Sequence, residues 1–429
     1  MKRNLPLHTA ALIAVTAVFA FAAPRFVFES GKTYDIKIPL ANVSYPNGKT
    51  MSLTHGVGSA AFHSPKDAEN IIYTLSDRGP NIDCNDTLKL IGLTMCESGK
   101  VFPVPSFAPS VYKFRLTGDK AELMERITLK GARGKEISGL SNPLTVTDTE
   151  NAFSSSAQIL KLDPSGLDTE GLVRMSDGTF WLADEYGPSV IHADAKGKII
   201  TRYVPEGMEK DLSSADYDVK GTLPAILMKR KLNRGMESIA IDPEEKYLYA
   251  SLQSPLANPD NSAYKSGRNV RLLKMSAKNG KVLGEYVYQM ETPDVFFMDN
   301  MGKPQKQSDV KISEMAGVGT DRLLVLERIN QSTRFYLIDL SKADNILNKE
   351  YDKPETLPSL EQQATAKDAG IKPVTKKLVF NTDDHNGLMS KIEGIALLGK
   401  NRVALINDND FGIDGSSTSM ILVNMPLGQ

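Results

Sequence analysis

Neither sign of charge dominates this chain: 51 Lys and Arg stand against 52 Asp and Glu, a formal net charge of -1 in 429 residues. Such a balance supplies no long-range attraction to nucleic acid or to an anionic membrane, so neither is an expected partner. Histidine is scarce, with five in all and His8 near the N-terminus, which argues against a histidine-built transition-metal centre. Cysteine is scarcer. Cys84 and Cys96 are the only two, too few soft ligands for structural zinc, and both sit in one segment rich in Asn, Asp and Gly. In an oxidising compartment that pair is expected to close a loop as a disulfide. Also missing are a Gly-x-Ser-x-Gly elbow, a His-Glu-x-x-His pair, a Walker loop and a dinucleotide glycine fingerprint. Long apolar runs are missing too, with one exception. Residues 10–23 are almost wholly apolar, follow Lys2 and Arg3, and carry small residues at Ala20 and Ala22, the pattern of a secretory signal cut after residue 22. The run is too short for a comfortable membrane span. The expected mature chain, 23–429, is a single domain without a membrane span, working in the bacterial periplasm or outside the cell.

What is present, four times over, is a hairpin with acids at its feet. Glu170-Gly171-Leu172 turns at Asp177-Gly178 and returns through Phe180-Trp181-Leu182 to Asp184-Glu185. Glu237-Ser238-Ile239 returns through Tyr247-Leu248-Tyr249 to Gln253, the one uncharged foot. Glu314-Met315-Ala316 returns through Leu323-Leu324-Val325-Leu326 to Glu327-Arg328, and Glu393-Gly394-Ile395 returns through Val403-Ala404-Leu405-Ile406 to Asp408-Asn409. In an antiparallel hairpin the first residue of one strand lies beside the last of its partner, so both feet share one edge of the sheet. Arranged around a ring, such hairpins gather their carboxylates at one opening.

Between these hairpins, short apolar runs such as 71–75, 111–116, 270–275, 282–288 and 334–338 alternate with turn signals such as Lys278-Asn279-Gly280. Many short strands without amphipathic helices between them predict an all-β chain. The opening glutamates recur at 170, 237, 314 and 393, intervals longer than the roughly 40 to 50 residues of a bare propeller blade. Each interval therefore holds a blade plus a loop insertion. A degenerate copy begins at His55 to Ser59 and returns through 71–75 to Asp77-Arg78, and 79–169 has room for one more blade beginning near 137–140. The expected fold is a β-propeller of six blades, with insertions on one face and the N-terminal strand closing the ring.

Carboxylates crowded in a low-dielectric opening repel one another unless something neutralises them. A hard divalent cation, Ca²⁺ first, accepts six to eight oxygen ligands in flexible geometry. Glu170, Glu237, Glu314, Glu393 and Asp408 are the candidate ligands. Glu185 and Glu327 are candidate bases on a bound water, and Arg78, Arg234 and Arg328, with His385, are candidates to hold a small anionic or ester substrate. The competing reading is a purely ion-paired structural ring.

The stretches Leu75-Ser76-Asp77-Arg78-Gly79-Pro80-Asn81, Asp168-Thr169-Glu170-Gly171-Leu172, Trp181-Leu182-Ala183-Asp184-Glu185-Tyr186-Gly187-Pro188, Asn233-Arg234-Gly235-Met236-Glu237-Ser238, Lys311-Ile312-Ser313-Glu314-Met315, Leu326-Glu327-Arg328 and Lys391-Ile392-Glu393-Gly394-Ile395 resemble the bacterial phytase-like family described as having esterase-like activity of phytase. The resemblance implies a secreted or periplasmic β-propeller and, less specifically, an ester hydrolase. A monomer hydrolysing a phosphate ester or other small ester at its acidic mouth is the expected activity. A non-enzymatic envelope binding propeller and a propeller lactonase are the alternatives.

Overall fold

The computed structural model describes residues 26–428, so the expected signal segment 1–22 lies outside the described residues. Short strands, mostly antiparallel, make up most of the regular structure, and five sheets stand around a common axis. Blade 1 is Ala60–Phe62, Ile71–Leu75, Ser110–Thr117 and Lys120–Thr128. Blade 2 is Thr169–Arg174, Phe180–Asp184, Ser189–Ala193 and Ile199–Pro205, with Asp218–Leu223 added in parallel at its edge. Blade 3 is Met236–Ile241, Tyr247–Leu252, Asn269–Ser276 and Val282–Gln289, and blade 4 is Lys311–Gly319, Arg322–Arg328, Thr333–Asp339 and Thr375–Asn381. Blade 5 is Ile392–Leu397, Arg402–Asn407 and Thr418–Asn424, completed by the N-terminal strand Thr33–Ile36. The chain thus locks its two ends into one sheet, as expected.

The first strand of each blade is innermost, and these five strands pack side by side in the order 1-2-3-4-5-1. Each sheet is covered on both faces by its neighbours, so its middle strands read as continuous apolar runs: Leu323, Leu324, Val325 and Leu326 are all buried. Near the axis the backbones come too close for side chains. A Cβ on Gly171 would lie 2.7 Å from the Ile239 nitrogen, and one on Gly394 would lie 2.7 Å from the Ala61 nitrogen. This is why a glycine follows the glutamate in two of the repeats.

Six blades is corrected to five among the described residues. The inner strands of blades 1 and 2 are neighbours in the ring, which leaves no gap for another. Within the stretch expected to supply a sixth blade, Ser110–Thr117 and Lys120–Thr128 complete blade 1, and the remainder yields only the short strands Ile82–Asp83, Lys100–Phe102, Ala152–Ser154 and Ile159–Leu160. Lys100–Phe102 and Ala152–Ser154 pair in parallel, so this small sheet is stitched from two separate insertions rather than from one consecutive meander. It shares an apolar core with the hairpin Pro39–Ser44 and Thr50–Thr54 through Val43, Met51, Leu53, Ile82, Ile91 and Val101. Among the described residues no helix is long and apolar enough to cross a membrane.

Cys84 and Cys96 are bonded. The bridge closes a 12-residue separation around the turn Cys84–Asp86 and the helix Thr87–Ile91. Loop-closure entropy for so short a loop is worth about 3 kcal/mol. A Cys84→Ser, Cys96→Ser double variant is expected to lose about that much unfolding free energy in denaturant titration, and a reducing agent is expected to bring the parent protein to the same value.

Candidate functional site

A β-bulge sets the site. Thr169 pairs with Asp184 and Gly171 with Ala183, so Glu170 is an extra residue in its strand. The same slip isolates Glu237 between Met236 and Ser238, Ser313 between Ile312 and Glu314, and Glu393 between Ile392 and Gly394. A bulge bends the strand and re-aims the unpaired residue. Glu170, Glu237 and Glu393 line a cavity of about 150 Å³ at one end of the axis, together with Ser59 of blade 1. On each second strand, the residue that follows the partner of the last pre-bulge residue lines it too: Glu185, Gln253, Arg328 and Asp408. The gathering of feet read from the sequence is present.

Two of the expected feet are not at the cavity, one because of the bulge and one because of strand alternation. In blade 4 the extra residue is Ser313, so Glu314 falls one step further along the strand. It is buried, takes the Met315 N–H at 3.0 Å, and leaves its second oxygen without a partner. Withdrawal from water holds its carboxyl well above the usual range. Glu327 precedes Arg328, and period-two alternation turns it to the other face. There it accepts from the Tyr288 hydroxyl, the Lys376 ammonium at 2.6 Å and the Glu291 N–H at 2.9 Å. His385, expected at the mouth, is exposed and stacked on Phe380 with ring centroids 4.4 Å apart.

Arg78 lines the cavity but is largely committed to the insertions above it. Its Nε donates to the Gly139 carbonyl, Nη2 to Ser141 and Nη1 to Glu150, each at 3.0 Å. Its guanidinium also stacks 4.6 Å from the Tyr186 ring centroid.

Blades 1 and 2 make the cavity's acidic side. Asp77, Asp168 and Glu170 offer oxygens that all lie within 4.8 Å of one another. Asp168 is 2% exposed, and its Oδ2 has no hydrogen-bond partner, only the Arg78 guanidinium at 3.5 Å. Glu170 makes no hydrogen bond or ion pair among the described residues. Withdrawal from water, then Glu237, Asp168 and Asp77, raises the Glu170 carboxyl well above the usual range, and withdrawal from water followed by Asp168 does the same to Asp77. Asp77 and Asp168 fall in the family-like stretches, but the sequence pattern alone gives neither a role. Each lies next to a residue that carried the sequence signal, Arg78 in one case and the Thr169-Glu170 foot in the other.

Blades 3 and 4 supply the basic side. Arg234 reaches Glu185 at 3.6 Å and bonds the Tyr264 hydroxyl at 3.3 Å. Arg328 donates to Ser313 at 2.9 Å, to the Ile329 carbonyl at 2.7 Å and to Glu393. Lys311, which opens one of the family stretches but has no role legible from sequence, lies among them with no hydrogen-bond or ion-pair partner among the described residues. Withdrawal from water, then Arg234 and Arg328, pushes its ammonium down to about 8. Glu185 accepts from the Gln253 amide at 2.7 Å, and withdrawal from water, opposed by Arg234, pushes it up to about 7.

The cavity lining counts eight carboxylates, those of Asp77, Asp168, Glu170, Glu185, Glu237, Glu393, Asp408 and Asp410, against the five cations of Arg78, Lys100, Arg234, Lys311 and Arg328. Glu237 Oε2 and Asp408 Oδ1 are buried without hydrogen-bond partners. Internal ion pairing therefore does not satisfy the ring. All the spare donors are hard oxygens, the set that suits Ca²⁺ or Mg²⁺ rather than a soft metal.

Among solved structures, the chain is similar to the PQQ-bound aldose sugar dehydrogenase of Streptomyces coelicolor (8% identity, 92% of this chain and 97% of that one, TM-score 0.33). It is also similar to virginiamycin B lyase of Staphylococcus aureus (12% identity, 92% and 88%, TM-score 0.29). A curated relative, an uncharacterized secreted protein of Arthroderma benhamiae, is 26% identical over 314 residues, and the match spans 60% of each chain. Residues 63–411, most of the described chain, match the family described as phytase-like, esterase-like activity of phytase, and the chain belongs to that family.

Proposed function

We propose that this protein is an exported hydrolase that splits a phosphate ester or another small ester at the mouth of its propeller with the help of a divalent cation, Ca²⁺ first. One observation supports this reading above the others: an acidic cluster with unsatisfied oxygens faces, across a single cavity, a basic side on which Lys311 has no partner among the described residues. Asp77, Asp168 and Glu170 would hold the cation, with the buried Gln253 carbonyl oxygen, itself unpartnered, as a further hard donor. When bound, the cation would polarise a substrate oxygen and acidify water. Lys311, Arg234 and Arg328 would hold the substrate's anionic group from the opposite side. Glu185, fixed by Gln253 and Arg234, would take a proton from the attacking water, and its value near 7 suits a general base at neutral pH.

The test is hydrolysis of a panel of phosphate monoesters, carboxylic esters and lactones, with calcium and with chelator. Calcium-dependent turnover of at least one class is expected, and a protein inert towards all of them in calcium would be a binding propeller instead. The two titrating groups give a further expected result. Glu185 must be ionised as a base and Lys311 must be protonated as an anion holder, so kcat/KM should rise with pH through about 7 and fall through about 8. Lys311→Arg, which keeps the charge at high pH, is expected to remove the falling limb and leave the rising one in place. A falling limb unmoved by that change would take Lys311 out of the site.

A further inference from the structure

The ring axis holds a second compartment. Past the feet, the inner strands run on to Ala61, Val173, Ile239, Met315 and Ile395, and these line a cavity of about 200 Å³ at the opposite end from the acidic mouth. Its wall is mainly apolar and continues through Ile241 and Leu397. Of the charged groups at its rim, Lys66 is exposed to solvent and the others are engaged: Arg174 lies 3.4 Å from Asp67, Asp242 accepts the Lys246 and Tyr247 N–H groups at 2.7 and 2.8 Å, and Glu245 accepts the Ser176 N–H at 2.8 Å. An apolar cavity of about 150 Å³ is already large enough to stay dry and take up a benzene-sized guest.

One polar atom in that wall stands apart. His63 is 8% exposed and lines the cavity. Its Nδ1 lies 2.7 Å from the Ile71 carbonyl, which only accepts, so Nδ1 carries the proton. In the neutral ring Nε2 is then an acceptor, and it has no partner among the described residues.

We propose that the far half of the channel is a binding site for a small apolar molecule carrying a single hydroxyl, a phenol or an alcohol of similar bulk, whose body fills the cavity and whose O–H donates to His63 Nε2. The site is separate from the acidic mouth and does not depend on any reaction there. Size and apolarity choose the body, and the lone acceptor chooses the hydroxyl.

The probe is phenol, with toluene as the partner of nearly equal shape that lacks the hydroxyl, each titrated calorimetrically into the full mature protein. Saturable binding of phenol is expected, at least tenfold tighter than toluene. His63→Phe is expected to erase that preference, and Ala316→Phe, which fills the cavity, is expected to abolish binding of both. Should Ala316→Phe fail to fold, Ala61→Leu serves as the milder filling variant. Methyl-labelled methionine spectra of the parent protein give an independent readout, in which phenol should move the Met315 resonance. No saturable phenol binding at millimolar concentration, equal affinity for phenol and toluene, or binding undiminished in a folded cavity-filling variant would each overturn the proposal.

Discussion

Calcium is expected to raise the melting temperature of the purified protein well above its value in chelator, and Glu170→Gln is expected to invert the ranking. In chelator the variant should be more stable than the parent, and in millimolar calcium less stable. The inversion follows from what Glu170 does in each state. Without a cation it is an unpaired, nearly buried carboxylate facing Asp77 and Asp168, and folding holds it in a place that disfavours its charge. Glutamine fills the same volume without that charge and relieves the repulsion. With a cation the same charge becomes a ligand, and binding to the folded state alone adds about 4 kcal/mol at a thousandfold excess over Kd. The pH dependence carries the same sign. The folded carboxyls of Glu170 and Asp77 lie above their usual values of 4.5 and 3.8, so the folded state holds protons that the unfolded chain has released. Their stabilisation is complete below those usual values and drains away as pH rises through the folded ones. Cation-free protein should therefore weaken from mildly acidic towards neutral pH, and calcium should suppress that loss. Turnover of whatever ester proves active should fall by at least about a hundredfold in Glu170→Gln, the scale of losing one electrostatic stabiliser of a transition state. Identical melting of the parent in calcium and chelator would leave the acidic cluster without a cation role.

The mouth was legible in the sequence because acids at strand ends recur with the hairpin, and hairpin geometry alone brings strand ends together. Glu170, Glu185, Glu237, Glu393 and Asp408 were found that way. The same pattern misled in blade 4. There Lys311-Ile312-Ser313-Glu314 looks like another foot, yet the bulged position belongs to Ser313 and the cavity-facing return position to Arg328. A one-residue insertion in a strand leaves no compositional mark, and with a side-chain period of two it moves an acid from the axis to the opposite face. Glu314 is displaced by that slip, whereas Glu327, on the partner strand, faces away because it precedes the cavity-lining Arg328. Lys311 was invisible for a different reason. A lone lysine at the start of a strand is ordinary in sequence; hairpin pairing sets it opposite Arg328, and only the ring brings it beside Arg234 of blade 3. The blade count failed where strand pairing is non-local: Val101 and Phe153 pair across two insertions, and no local periodicity announces a partner at that distance.

Arg271→Met is expected to destabilise the protein by about 3–5 kcal/mol, whether or not calcium is present. Arg271 is fully buried on the third strand of blade 3. Its Nη1 donates to Glu285 at 2.7 Å and its Nε to Glu361 at 2.9 Å, and both acids are buried. Nη2 donates to the Tyr351 carbonyl at 2.8 Å. Tyr351 and Glu361 belong to the long connector between the third and fourth strands of blade 4, so this one guanidinium pins that connector along the outside of blade 3. A small core of Val287, Ile346, Leu360, Ala366 and Ile371 completes the contact. Methionine keeps much of the volume but leaves two buried carboxylates facing each other, which costs far more than the net worth of the ion pairs themselves. The penalty should depend on pH in a definite direction. Withdrawal from water already pushes Glu285 up to about 7 in the presence of Arg271, from a usual 4.5. Without the guanidinium the carboxyl moves higher still and takes up a proton more readily, so the deficit should shrink at pH 5 and grow at pH 8. Replacing Glu285 and Glu361 by leucine in the Arg271→Met background should recover most of the loss, since a buried triad exchanged for packed apolar side chains is often neutral or better. Chemical denaturation at the two pH values measures all of this. Because none of the three residues lines the mouth, the calcium-dependent shift of the Arg271→Met protein should equal that of the parent, as distant sites without shared partners are additive. A calcium shift that vanished in Arg271→Met would instead mean that the connector, and not the ring alone, holds the feet in register.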